Sequence, residues 1–191
     1  GAAPRRRGPR SGHPRYTAAV QETVWLVGMM GAGKSSVGAR LAERLGVSFV
    51  DADRVIEEEA GRDVAGIFAA EGEAGFRARE RGVLERLAGR PAVVALGGGA
   101  MAQAGVPERL AASGTVVWLR ARPETLLARL GEGTGRPLLG GLDARSRAER
   151  LRALLAAREA AYARADRVVD TDGLGVDGVV EAVLRALEAA A

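Results

Sequence analysis

An α/β fold of three layers, with a five-stranded parallel sheet between helices, is predicted by three observations. Short apolar runs alternate with longer stretches of helical periodicity. The first run leads directly into Gly28-Met29-Met30-Gly31-Ala32-Gly33-Lys34-Ser35, the complete G-x-x-x-x-G-K-[ST] pattern. Polar clusters recur just after the other apolar runs, where such sheets bind their ligands.

Each element has its own signal. Thr23-Val24-Trp25-Leu26-Val27 reads as a short buried strand entering the glycine loop. Val37, Leu41 and Leu45 then recur every four residues, with Ala42 beside them, as one face of a helix. Strand, loop and helix is the arrangement that lets backbone N–H groups and a helix N-terminus hold phosphate. Further strands are predicted at Val47-Ser48-Phe49-Val50, ending at Asp51, and at Ala92-Val93-Val94-Ala95-Leu96, ending at Gly97-Gly98-Gly99. Thr115-Val116-Val117-Trp118-Leu119 runs into Arg120, and Arg167-Val168-Val169 into Asp170. Helical patterns lie between these strands, so the sheet is expected to be parallel and covered on both faces. Residues 131–141 contain five glycines around Arg136-Pro137, which suggests either a lid (residues 131–143) or a plain surface loop.

Composition narrows the classes. The chain of 191 residues suits one domain with a sizeable core, 47% hydrophobic and 4% aromatic. It has no cysteine, which excludes disulfides and thiolate metal sites and fits a reducing cytoplasm. The one histidine, His13, leaves no material for a histidine triad or a multi-histidine metal site. No apolar run approaches the ~20 residues that span a bilayer. Residues 1–20 hold five arginines and no acid, with Pro4, Pro9 and Pro14, and are expected to form a disordered basic tail. Residues 21–191 are expected to form the single folded domain. Outside the tail the charge is near neutral; the tail could touch nucleic acid or acidic surfaces or be a plain solvated extension, and no nucleic-acid partner, no membrane and a monomer are expected.

Of the 28 basic residues 27 are arginine, and the one lysine is Lys34 inside the loop. A slim ammonium fits beside a β/γ-phosphate in a glycine nest where a wide planar guanidinium does not. Ser35 can offer its hydroxyl to Mg²⁺. Asp51 and Asp53 follow a strand end. If extended backbone continued through them they would share one side, one near a metal and one on an acceptor hydroxyl; alternatively Asp53 caps the next helix. Arg77 precedes Glu80 by three residues on a predicted helix, which fits an ordinary surface pair or an arginine oriented for an anion. Arg158 shares a helix face with Leu151, Leu154, Leu155 and Tyr162. A charge in an apolar stripe needs a buried acid or a ligand anion, unless it snorkels at the edge. Gly97-Gly98-Gly99 permits close approach to backbone, or a tight turn only.

In this order and spacing, these motifs resemble the shikimate kinase family over roughly residues 24–190. The resemblance rests on the GMMGAGKSS loop, Asp51-Ala52-Asp53, Gly75-Phe76-Arg77-Ala78-Arg79-Glu80, Gly97-Gly98-Gly99-Ala100, Arg136-Pro137-Leu138-Leu139, and Arg158 with Tyr162. It implies a P-loop kinase fold of nucleoside-monophosphate-kinase type, with a flexible lid and a substrate-binding segment near residues 52–90. It implies ATP and Mg²⁺ as cofactors and shikimate as the small-molecule acceptor. Gly31, Ala32, Gly33, Lys34, Ser35 and Ser36 would hold the ATP phosphates, with Ser35 and Asp51 at the metal. Asp53 would bind the ring hydroxyls and take a proton. Arg77 and Arg158 would grip the carboxylate, Glu80 would orient Arg77, and Gly98 and Gly99 would approach through backbone. Arg136 would reach the transferring phosphate and Arg129 the adenine. One departure stands after Val169-Asp170-Thr171, where Asp172-Gly173-Leu174-Gly175 replaces the family's polar or basic residues and proline. Competing readings are a gluconate-type small-molecule kinase, a nucleoside-monophosphate kinase, or a degenerate kinase fold that binds through its arginine tail.

Overall fold

The structure is a computed structural model, and it describes residues 22–131, 139 and 141–189. Five strands form one sheet: β1 (Thr23–Val27), β2 (Ser48–Asp51), β3 (Ala92–Ala95), β4 (Gly114–Arg120) and β5 (Arg167–Asp170). Their order is β2-β3-β1-β4-β5, and every pairing is parallel. All five lie where the apolar runs place them, within one residue at each end.

Seven α-helices and a 3-10 turn (Ala100–Ala102) lie among the described residues: α1 (Lys34–Leu45), α2 (Ala52–Ala60), α3 (Val64–Leu87), α4 (Val106–Ala111), α5 (Pro123–Leu130), α6 (Ala144–Tyr162) and α7 (Val176–Glu188). Strand alternation sends neighbouring side chains to opposite faces, and two cores result. Val24, Leu26, Val117 and Leu119 pack with Val37 and Leu41 of α1, Leu126 of α5 and Val180 and Val183 of α7. Trp25, Val27, Val94, Val116 and Trp118 pack on the other side with Ile56 of α2, Ile67, Phe76 and Leu84 of α3, and Leu110 of α4. Helix α6 contributes Leu151 to the first core and Tyr162 to the second, so it crosses the end of the sheet. The layers are therefore α/β/α, as predicted.

This topology positions the site. β1 lies between β3 and β4, so the connections diverge from its C-terminal end and leave a crevice there. The glycine loop leaves β1 at that crevice. The turn after β3 flanks it, and α2 and α3 rise from the neighbouring edge strand.

Candidate active site

The loop is shaped by glycines in backbone conformations that other residues rarely adopt. Gly28 has φ 142°, and a Cβ there would stand 2.6 Å from the carbonyl oxygen of Leu119. Gly33, at φ 90°, is the N-cap of α1 and carries no side chain to satisfy the first N–H groups. Those donors and the helix dipole remain for an anion. Lys34 Nζ donates to the carbonyls of Gly28 at 2.8 Å and Met29 at 3.1 Å, which arches the lysine back over the loop. Gly31, Ala32, Ser35 and Ser36 complete the turn and the first helical residues, as expected.

The two aspartates do not share an extended strand. β2 ends at Asp51, which is itself the N-cap of α2; its Oδ1 accepts from Arg54 N at 3.4 Å. Asp53 is therefore in the first turn of the helix and is not its cap. The D-x-D expectation fails because a capping carboxylate at a strand end starts the helix at the next residue. The two carboxylates nonetheless point to different places. Asp51 Oδ2 accepts a hydrogen bond from Ser35 Oγ at 2.8 Å, while Asp53 turns to the end of β3.

Asp53 is an unusual carboxylate. Its Oδ1 is buried with no partner among the described residues. Burial above all, then the negative charges of Glu80 and Asp51, raise its pKa to about 6, against an opposing pull from Lys34. It remains ionised at neutral pH but is more basic than an exposed aspartate.

Arg77 and Glu80 form a largely buried pair, which spacing alone could not reveal. Helix α3 bends at Gly72 (φ 70°, ψ −178°), and its second limb carries both residues inward. Arg77 Nη1 donates to Glu80 Oε2 at 2.8 Å, and Glu80 is only 1% exposed. The guanidinium lies 5.3 Å from the ring centroid of buried Phe76. Gln103 Nε2 also donates to Glu80 Oε2, at 2.5 Å. Sequence reasoning missed Gln103, because a lone glutamine after a glycine turn carries no pattern.

The Gly97–Gly99 turn is where these groups meet. A methyl group on Gly97 would stand 2.8 Å from Asp53 Oδ1 and 3.2 Å from Glu80 Oε1. One on Gly98 would lie 3.1 Å from Arg158 Nη1, and one on Gly99 2.7 Å from Arg77 Nη2. The glycines thus line the floor of a hollow whose walls are Asp53, Arg77 and Arg158. Arg158 has no carboxylate within ion-pair distance among the described residues; its Nη1 lies 3.7 Å from the sulfur of buried Met29. Two guanidiniums face one small space, and only Arg77 has an acid of its own. Two guanidiniums so placed could receive an anion.

On the other flank, Arg129 donates through Nη1 to Thr171 Oγ1 at 2.9 Å and through Nη2 to Thr171 O at 2.7 Å. This joins the end of α5 to the turn that follows β5. Arg136 and most of the predicted lid lie outside the described residues, as does the basic tail.

Among the described residues no cluster of three or more histidine, cysteine, aspartate or glutamate side chains could cage a metal. The Ser35–Asp51 oxygen pair is nonetheless the donor set that suits Mg²⁺, which keeps waters and takes one or two protein oxygens beside substrate phosphates.

Known proteins resemble this chain in sequence and fold. The shikimate kinase family model matches residues 30–188. The shikimate kinase of Symbiobacterium thermophilum is 51% identical over 167 residues, covering 85% of this chain and 94% of that protein. Among solved structures, the shikimate kinase of Acinetobacter baumannii in complex with shikimate superposes with a TM-score of 0.82 at 38% identity. It covers 90% of this chain and 96% of its own. The shikimate kinase of Bacteroides thetaiotaomicron gives 0.83 at 32% identity, with 87% and 98% covered. A phosphate loop at the switch of a five-stranded sheet, a two-arginine hollow beside it and likeness along nearly the whole folded chain agree, and this chain belongs to the shikimate kinase family.

Proposed function

We propose that this protein transfers the γ-phosphoryl group of ATP to the 3-hydroxyl of shikimate, giving shikimate 3-phosphate and ADP. The observation that carries this reading is the convergence of Asp53, Arg77 and Arg158 on the Gly97–Gly99 turn, immediately beside the phosphate loop. A small acid with ring hydroxyls matches that chemistry: two guanidiniums for the carboxylate, one carboxylate for hydroxyls, and glycine backbone for close approach. The reading gains support from the Acinetobacter baumannii relative, which is described in complex with shikimate.

The roles follow from position. Loop amides of Gly31, Ala32 and Gly33, the first residues of α1 and Lys34 bind the phosphates of ATP. Ser35 and Asp51 would hold Mg²⁺, which when bound would supply positive charge beside the ATP phosphates. Asp53 accepts the proton of the acceptor hydroxyl as that oxygen bonds to the γ-phosphorus and ADP departs. Its raised pKa of about 6 makes it a better base while leaving it ionised. Phosphoryl transfer needs alignment and charge neutralisation more than covalent help, and these groups supply both. Arg77, held by Glu80, and Arg158 fix the acceptor carboxylate. Arg129 borders the adenine, with Thr171 holding its guanidinium. For Arg136 and residues 131–143 the proposed role is to bring positive charge to the transferring group and exclude water. The substrate-binding segment at about 52–90 corresponds to α2 and α3. Among the described residues no helix is long and apolar enough to cross a membrane. We place the enzyme in the cytoplasm, acting as a monomer.

The test is ADP release with shikimate, quinate, gluconate and nucleoside monophosphates as acceptors. Shikimate should be preferred by orders of magnitude in kcat/KM. Faster turnover with gluconate or a nucleotide would overturn the assignment.

A further inference from the structure

The mechanism leaves Tyr162 unused, although it is 1% exposed and reaches directly into the floor of the acceptor hollow. Its hydroxyl donates to the carbonyl oxygen of Gly98 at 2.5 Å. Its ring packs against Trp118 of β4, with centroids 5.7 Å apart, so the phenol has little freedom to move. Tyr162 stands one helical turn after Arg158 on α6, and a methyl on Gly98 would meet both side chains, at 3.5 Å from the hydroxyl and 3.1 Å from Nη1.

The consequence lies in the next peptide unit. No peptide bond in the described chain is cis, so the Gly98 carbonyl and the Gly99 N–H point in opposite directions. Drawing the carbonyl toward the phenol turns the Gly99 N–H away from it. Neither Gly98 N–H nor Gly99 N–H donates to another described residue. Gly98 and Gly99 are the central residues of a turn closed by Ala100 N–H donating to Gly97 O at 3.1 Å, and glycine at both positions lets their shared peptide flip without opening that turn unless it is tethered. We infer that Tyr162 is a positioning residue for the acceptor: its hydroxyl fixes the Gly98–Gly99 peptide so that the Gly99 N–H is presented to an oxygen of the bound ring acid.

This inference rests on the proposed phosphorylation of shikimate, and wild-type turnover with shikimate tests that reading separately. With the wild type active, Tyr162→Phe keeps the ring and removes the tether. The KM for shikimate should rise ~10-fold, as expected for one lost buried hydrogen bond acting through an oriented donor. The KM for ATP should stay within about twofold and kcat should change by less than the shikimate KM, since the nucleotide side is untouched. A merely structural role would move both KM values together or neither, and an effect carried instead through Arg158, whose side chain also hydrogen-bonds the phenol, would leave the Gly99 amide response to shikimate in the variant as in the wild type and overturn the inference. An unchanged shikimate KM, or parallel rises in both, would overturn the inference. A second measurement needs no variant. In the ¹⁵N-labelled wild type, the Gly99 amide resonance should shift strongly as shikimate is titrated in. A Gly99 amide indifferent to saturating shikimate would also overturn it.

Discussion

The Ser35 hydroxyl donates to Asp51 Oδ2 across 2.8 Å, tying the first turn of α1 to the last residue of β2. The contact bridges two strand ends that the sheet holds apart, since β3 lies between β2 and β1. It also brings two hard oxygen donors together beside the phosphate loop. Asp51 can serve there because it caps α2 through its other oxygen, which fixes its carboxylate plane.

Ser35→Ala should therefore weaken Mg²⁺ more than it weakens either substrate. Loss of one ligand or its supporting partner typically costs ~10–100-fold in metal affinity. An initial-rate titration with MgCl₂ at saturating ATP and shikimate should show the half-maximal concentration raised by about that factor, with partial recovery at high Mg²⁺. An unshifted Mg²⁺ curve would remove Ser35 from the metal site.

Arg158→Ala should separate the two substrates. The guanidinium lies over the Gly98 turn and lacks an acid of its own, so its removal leaves no buried carboxylate stranded. The fold should survive, while the acceptor loses one charge-assisted contact of about 1.5–3 kcal/mol, or ~10–100-fold in KM. Steady-state kinetics with each substrate varied should place the effect on shikimate and leave ATP within about twofold. Equal weakening of both would make Arg158 structural.

How much of this was legible beforehand depends on whether a residue's role is local. The five strands were readable because each is a short apolar run between helical patterns. Gly28 to Ser35 was readable because phosphate binding by a loop imposes a fixed spacing. The pairing of Arg77 with Arg158 came only through the family resemblance, since 81 positions separate them and the crossing of α6 over the sheet end is what brings them together. Without the family resemblance, Arg77–Glu80 reads as a surface pair; the bend at Gly72 and the burial of Glu80 are tertiary facts. The aspartate pair was misjudged locally, because Asp51 ends its strand and caps its helix at once. Gln103 and Tyr162 matter through contacts with Glu80 and Gly98, which no pattern encodes.

Gly99→Ala should damage acceptor binding without unfolding the protein. Gly99 has an ordinary backbone (φ −98°, ψ −6°), so alanine is conformationally acceptable there. Its methyl would stand 2.7 Å from Arg77 Nη2, and Arg77 is anchored to buried Glu80. The guanidinium must move out of the hollow or the turn must shift. Thermal melting should change by only a few degrees, while kcat/KM for shikimate falls by ~10²-fold or more, as misplacement of a positioned group does. Wild-type kinetics would mean that the hollow has slack on this side.

Asp53→Asn should make the protein more stable and less active. A carboxyl whose folded-state pKa is raised, here from 3.8 to about 6, favours folding only while it is protonated. That stability is fully present below the unfolded pKa, fades as pH rises from about 4 through 6, and is absent at neutral pH. A neutral amide carries no buried charge at any pH and so lacks that loss. In nucleotide-free, Mg²⁺-free protein at pH 7.5 the variant should gain on the order of 2 kcal/mol, seen as a rise of several degrees in Tm. At pH 4 the two melting curves should converge. Turnover should fall by ~10²–10⁴-fold, the usual worth of a positioned general base. A gain in Tm that persists unchanged at pH 4 would trace it to packing, and retained turnover would show that the hydroxyl proton leaves by another path.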